Sequence, residues 1–133
     1  MKKDIHFEEV KDVAVAVVKE TAEGADLWNV YLINLKKIPL KNVLINSSGY
    51  GTEKKENVKT STLRFFFEEI PAESFVVVEP IMPEVFSLNN EYWLSFYIGE
   101  EIQDKKYIFL AESIIEKNLV KIPLVNLKGV LIK

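Results

Sequence analysis

The stretch from Asn90 to Leu110, NEYWLSFYIGEEIQDKKYIFL, constrains the fold of this chain more than any other part of the sequence. Its side chains alternate with a period of two on both sides of a short loop that contains Gly99. The first arm places Tyr92, Leu94, Phe96 and Ile98 on one face and Trp93, Ser95 and Tyr97 on the other. This pattern is typical of an antiparallel β-hairpin, so the sequence predicts a sheet here.

The register of this hairpin depends on the length of its loop. A loop over residues 99–102 places Leu94 opposite Tyr107, and a three-residue loop places Leu94 opposite Lys106. We favour the first register because it gathers the aromatic side chains of both arms on one face, where cross-strand pairs stabilise each other.

Similar patterns recur along the chain and predict seven to nine strands. From Val10 to Lys19, apolar side chains occupy both faces, so this strand must be covered on both sides or lie in an interface. Thr60 to Ile70 fits both helical spacing and strand alternation, and we favour a strand because threonine and phenylalanine suit strands. Ser48 to Lys59 carries turn residues and charge but few apolar side chains, which predicts a long exposed loop.

The number and spacing of these strands predict the fold class. A chain of 133 residues without internal repeats or a linker is expected to form one domain, residues 1–133. We predict an all-β, antiparallel β-sandwich with immunoglobulin-like architecture. A closed β-barrel is the alternative.

The composition argues against several classes of function. The net charge of −3 and the pI near 5.3 disfavour a nucleic-acid partner, because such binding needs a basic surface that neutralises phosphates. The chain has no cysteine, which excludes disulfides, thiolate catalysis and cysteine-ligated metals. Its apolar runs are too short to span a bilayer, and acidic residues follow Lys2 and Lys3 where a signal peptide needs an apolar stretch. We therefore expect a cytoplasmic protein with neither a nucleic-acid nor a membrane partner.

The residues that usually carry catalysis are scarce. His6 is the single histidine, and it lies among Asp4, Glu8 and Glu9, where we expect a solvated acidic segment and not a metal site. A Ser-His-Asp triad would have to use His6, and nothing in the sequence resembles the turn that carries such a serine. The sequence therefore predicts no catalytic, cofactor-binding or metal-ligating residue.

Carboxylates leave one catalytic alternative open. The adjacent glutamates at 68–69 and at 100–101 point to opposite faces if they lie in strands, so they make poor acid–base partners. A pair contributed by distant strands would still allow a carboxylate-based hydrolase. The glycine-rich stretch at 48–51 lacks the spacing, the lysine and the following helix of a phosphate-binding loop, and it is typical of a loop end.

Two apolar runs suggest an interface. Consecutive residues of a strand point to opposite faces, so three in a row cannot all face the same core. The face left over must be covered by another subunit or by a loop of the same chain. The candidate interface residues are Phe65, Phe66, Phe67, Val76, Val77 and Val78.

Aromatic side chains allow a second interpretation, because the rings of tryptophan and tyrosine can stack on sugars. The candidate stacking residues are Trp28, Tyr50 and Trp93. We expect a non-catalytic interaction or assembly domain that self-associates or binds a protein partner, with a carbohydrate or small-ligand binding module as the alternative.

The strings NEYWLSFYI (residues 90–98) and KKYIFL (residues 105–110) resemble those of small uncharacterised bacterial proteins, some of which carry aminoacyl-tRNA synthetase labels. The chain has none of the synthetase motifs for ATP or amino-acid binding. The resemblance therefore implies no function.

Overall fold

The chain is built from β-strands. The computed structural model describes residues 9–51 and 58–133, and in those ranges it contains nine strands, within the predicted seven to nine. The strands are β1 (Val13–Ala22), β2 (Ala25–Asn34), β3 (Leu40–Tyr50), β4 (Leu63–Ile70), β5 (Ser74–Pro80), β6 (Asn89–Ile98), β7 (Glu101–Phe109), β8 (Val120–Lys121) and β9 (Lys128–Ile132). Short 3₁₀ helices span Pro83–Ser87 and Glu116–Asn118. No helix within the described ranges is both long and apolar enough to cross a membrane.

The strands form two antiparallel sheets that do not close into a barrel. Sheet A has the order β5-β2-β1-β9-β8, and sheet B has the order β4-β3-β6-β7. In β1–β7, the three strands β5-β2-β1 face the four strands of sheet B, which is an immunoglobulin-like arrangement. The predicted β-sandwich is confirmed, and the barrel alternative is wrong.

Period-two alternation decides which side chains fill the space between the sheets. Val15 and Val17 of β1, Leu32 of β2, and Leu94 and Phe96 of β6 belong to one fully buried cluster. Burying a side chain of this size contributes roughly 1.5–3 kcal/mol, so a register shift by one residue would be strongly unfavourable. This core fixes the orientation of every outward-facing residue described below.

A second apolar layer covers the outer face of sheet A. Ala14, Ala16 and Val18 of β1 pack there against Ile122, which is fully buried. Ile122 directly follows β8, and the small side chains of β1 leave room for it on this face. The strand that follows, β9, pairs with β1 within sheet A, and at Gly129 an added Cβ would lie 2.5 Å from the carbonyl oxygen of Val17, so a larger residue would not fit there. The prediction that β1 is covered on both faces is confirmed, and the cover belongs to the same chain.

The hairpin of β6 and β7 has neither predicted register. Leu94 lies opposite Lys105, and Tyr92 lies opposite Tyr107. The loop contains only Gly99 and Glu100, and Gly99 has φ of 61°, as the first residue of a II′ turn requires. The tighter turn extends the backbone ladder by one residue pair. The observed register is shifted by two residues from the favoured one, and a shift of two keeps the aromatic residues on the same face.

Two other predictions meet different outcomes. Residues 60–70 contain strand β4, which confirms the strand interpretation. The predicted loop from Ser48 to Lys59 is too long, because β3 continues to Tyr50, which pairs with Asn89 and with Lys59. Backbone hydrogen bonds to β6 extend the strand although its side chains are small and polar. Residues 52–57 of that predicted loop lie outside the described residues.

Candidate functional site

The outer face of sheet B carries large apolar side chains that no other part of the described chain covers. Of the three consecutive phenylalanines, Phe65 and Phe67 pack against the core and Phe66 points outward with 61% of its surface exposed. We refer to the outward residues Leu44, Phe66, Trp93, Tyr97 and Ile102 as the aromatic face.

Strand pairing makes the aromatic face continuous. Leu44 of β3 lies beside Phe66 of β4 on one side and beside Ser95 of β6 on the other. Tyr97 of β6 lies opposite Ile102 of β7, whose side chain is 59% exposed. The rings and aliphatic side chains therefore extend across all four strands.

Charged side chains of both signs accompany the aromatic face. The ammonium of Lys106 lies 4.5 Å from the ring centroid of Trp93, a distance suited to a cation–π interaction. Arg64 donates from Nε to Oδ1 of Asn46 at 3.2 Å. Asp104 lies opposite Ser95 on the same face. The surface thus combines apolar area with both acidic and basic groups.

The six predicted interface residues do not form one surface. Phe65, Phe67 and Val76 pack against the core, and Val78 is buried in it. Val77 is exposed on the outer face of sheet A, where it pairs with Tyr31. Phe66 and Val77 consequently lie on opposite sides of the sandwich. The sequence predicted that Phe66 and Val77 lie in strands, but it could not show that these two strands belong to different sheets.

The three predicted stacking residues are likewise separated. Trp28 packs against the inner core and meets the ring of Phe86 edge to face at 5.2 Å. Trp93 and Tyr50 belong to sheet B, and Trp93 is on its outer face with 44% of its surface exposed. The structure therefore does not bring Trp28 and Trp93 together on one platform.

The predicted acidic pairs offer no gathered site. Glu69 forms an ion pair with Lys41, and Glu68 is exposed. Glu100 and Glu101 are exposed at the turn between β6 and β7. In residues 9–51 and 58–133, no three histidine, cysteine or acidic side chains lie close enough together to hold a metal ion. The remainder of the N-terminal acidic segment, residues 4–8, lies outside the described residues.

One feature that the sequence analysis did not identify is a cleft of about 290 Å³ at one end of the sandwich, which we call the end pocket. It lies between the end of β5 and the inner faces of β3 and β6. Its polar lining includes Ser47, Gly49, Thr60, Glu79, Asn90 and Tyr92. The signal was present in the sequence, because Ser47 and Asn90 occupy core-facing positions of otherwise apolar strands.

Tyr92 and Glu79 form a hydrogen bond between two side chains of the end pocket. The Tyr92 hydroxyl donates to Oε2 of Glu79 at 2.9 Å, and Tyr92 is only 2% exposed. Burial, together with the nearby Glu79 carboxylate, raises the pKa of Tyr92 far above its usual range. Tyr92 is therefore neutral near pH 7, and its hydroxyl donates the hydrogen bond that Glu79 accepts.

Comparison with known proteins adds no family to these observations. The sequence matches no protein-family model and no curated protein.

Proposed function

We propose that this protein is a non-catalytic, cytoplasmic assembly domain that binds a second copy of itself through the aromatic face. The observation that carries this proposal is the exposure of Phe66, Trp93 and Ile102 on one sheet face. Contiguous apolar surface of this kind is more typical of protein contacts than of free surface. Aromatic residues are also enriched at the centres of interfaces.

The charges favour a second copy as the partner. A two-fold interface places the same surface on both subunits, so each charged group must meet a complementary one from the same set. The outer face of sheet B, which carries the aromatic face, also has the basic residues Arg64 and Lys106 and the acidic residues Asp104 and Glu91. Opposite charges are therefore available to pair across the two-fold axis.

The size of the sheet predicts a weak dimer. Four strands at about 4.8 Å spacing and about eight residues in length give a face of roughly 500 Å². Two such faces bury on the order of 1,000 Å², which is near the lower limit for a specific interface. We expect reversible association in the micromolar range and not an obligate dimer.

Sedimentation velocity over a concentration series tests the proposal. The wild-type protein should shift from monomer to dimer, and Phe66→Glu should remain monomeric because it places a charge in the apolar contact. Val77→Glu is the matched control, since Val77 is also exposed on a strand but lies on the opposite side of the sandwich. Acrylamide quenching of Trp93 should fall as the wild-type dimer forms.

Two results would contradict the proposal. The first is a wild-type protein that stays monomeric throughout the series. The second is a dimer that Val77→Glu disrupts as strongly as Phe66→Glu, which would assign the contact to sheet A.

A further inference from the structure

The inner faces of β3 and β6 change from apolar to polar at the end pocket. On β6, Leu94 and Phe96 are fully buried in the core, but the preceding inward residues are Tyr92 and Asn90. On β3, Ile45 is followed at the next inward position by Ser47. Buried polar groups destabilise a fold unless they are paired. Their presence at this end of the core calls for a specific reason.

Part of this polar surface is already satisfied. The amide nitrogen of Asn90 donates to the carbonyl oxygens of Val85 at 2.9 Å and Leu88 at 3.1 Å. Thr60 accepts a hydrogen bond from the backbone nitrogen of Gly49 at 2.7 Å. These bonds fix the orientation of the Asn90 side chain and of the residues at the mouth of the pocket.

Two acceptors remain open toward the cleft. Oδ1 of Asn90 receives no hydrogen bond from the residues in the described ranges, where no fully buried side-chain oxygen or nitrogen lacks a partner, so this oxygen is within reach of the cleft. This oxygen lies 3.4 Å from the position that a Cβ on Gly49 would take. Glu79 accepts from Tyr92, but no lysine or arginine in the described part of the chain forms an ion pair with its carboxylate.

We infer that the end pocket binds a small organic amine in its alkylammonium form. An ammonium group has three donors and no acceptor, which matches the carboxylate of Glu79 and the free oxygen of Asn90. Its charge compensates the Glu79 carboxylate, and hydrogen bonds between charged groups are stronger than neutral ones. The apolar wall formed by Ile81, Met82 and Val85 suits a short hydrocarbon stem.

The volume limits the size of the ligand. At about 290 Å³ the cleft is at the small end of the range for ligand sites. An added Cβ at Gly49 would come within 3.0 Å of the Thr60 methyl group, so glycine at this position keeps the cleft open. The amine can come from a free small molecule or from a lysine side chain of another protein, because both present the same group.

An NMR titration of backbone amides with butylamine at neutral pH tests this site. We expect saturable shifts at Gly49, Thr60 and Asn90, and weaker binding of the uncharged isostere 1-butanol. Glu79→Gln retains an oxygen for Tyr92 but removes the charge, and it should lower the affinity for butylamine about ten-fold. Glu91→Gln is the matched control, because Glu91 lies on β6 between Asn90 and Tyr92 but faces outward, and it should bind like the wild type.

Gly49→Ala provides a second variant that narrows the cleft without removing a polar group, and it should also weaken binding. A lysine-containing peptide that binds more tightly than butylamine assigns the site to a partner protein's lysine, and the reverse order assigns it to a free amine. Equal affinity for 1-butanol and butylamine would overturn the inference. So would wild-type affinity in Glu79→Gln, or shifts that do not saturate and spread over the acidic surface.

Discussion

Replacing Ile122 with alanine tests how the outer face of sheet A is covered. Ile122 is fully buried and packs on Ala14, Ala16 and Val18. Truncation of a buried isoleucine to alanine costs about 2–5 kcal/mol, and the cost is larger where neighbours cannot move into the cavity. Here the neighbours are short side chains on a hydrogen-bonded strand, but part of the cover lies near solvent. We therefore expect a loss of about 3 kcal/mol in the free energy of unfolding.

Urea unfolding monitored by circular dichroism measures this loss. For a chain of 133 residues, about 3 kcal/mol corresponds to a decrease in Tm of about 10 °C. Leu124→Ala is the matched control, because Leu124 lies in the same segment but is 40% exposed, and it should cost less than about 1 kcal/mol. If both variants lose the same small amount with an unchanged m-value, the segment does not cover sheet A as described.

The remaining predictions concern a turn and two tyrosines. Glu23 has φ of 51° and Gly24 has φ of 78° in the two-residue turn between β1 and β2. Asparagine tolerates positive φ better than glutamate, so Glu23→Asn should raise the free energy of unfolding, measured in urea, by up to about 1 kcal/mol. An unchanged or lower value would contradict this. Burial raises the pKa of both Tyr92 and Tyr107 above the ordinary value of 10.0. As the pH rises above 10, these tyrosines therefore ionise in the unfolded chain before they ionise in the folded one. The stability that their neutral forms contribute is fully present below pH 10 and is lost as the pH rises further. Tyr107→Phe should reduce this alkaline loss by up to about 1.4 kcal/mol per pH unit, whereas an identical pH dependence of unfolding in the variant would show that Tyr107 does not contribute.

The sequence predicted the fold class because burial follows side-chain alternation. Val13, Val15 and Val17 alternate with Ala14 and Ala16 in β1, and this pattern indicates burial on both faces whatever covers them. It does not identify the cover, which comes from residues more than 100 positions away, such as Ile122. Contacts of that separation depend on strand order, and alternation within a strand carries no information about strand order.

The predictions that were wrong concern the hairpin register and the end of β3, which side-chain hydrophobicity does not determine. The hairpin register differs by two residues from the favoured one, and a shift of two keeps Tyr92 and Tyr107 on the same face. Hydrophobicity cannot distinguish these registers, whereas the backbone of Gly99 can. The extension of β3 through Gly49 was missed for a related reason, because backbone pairing with Asn90 continues where apolar side chains do not.

The candidate sites were partly predictable for the same reasons. Phe66 was among the predicted interface residues because three phenylalanines in a row cannot share one face, and it is the one that points outward. The sequence could not place it beside Leu44, because that contact depends on the pairing of β3 with β4. The end pocket requires residues from β3, β5 and β6 to meet, so only the polar inward positions on single strands were visible in advance.

The two outer faces of the sandwich differ in a way that bears on the proposed assembly. On sheet A, the outward residues of β1 are small, and the segment between β8 and β9 packs against them through Ile122. On sheet B, the outward Phe66 and Trp93 are large and are 61% and 44% exposed, and no segment of the described chain covers them. A second sheet with the same side chains can pack against them, since close packing between facing sheets depends on side chains that fill each other's gaps. These exposed side chains therefore favour another copy of the same face over a covering strand of the same chain, and sedimentation of the wild-type protein over a concentration series separates the two, because only association between copies depends on concentration.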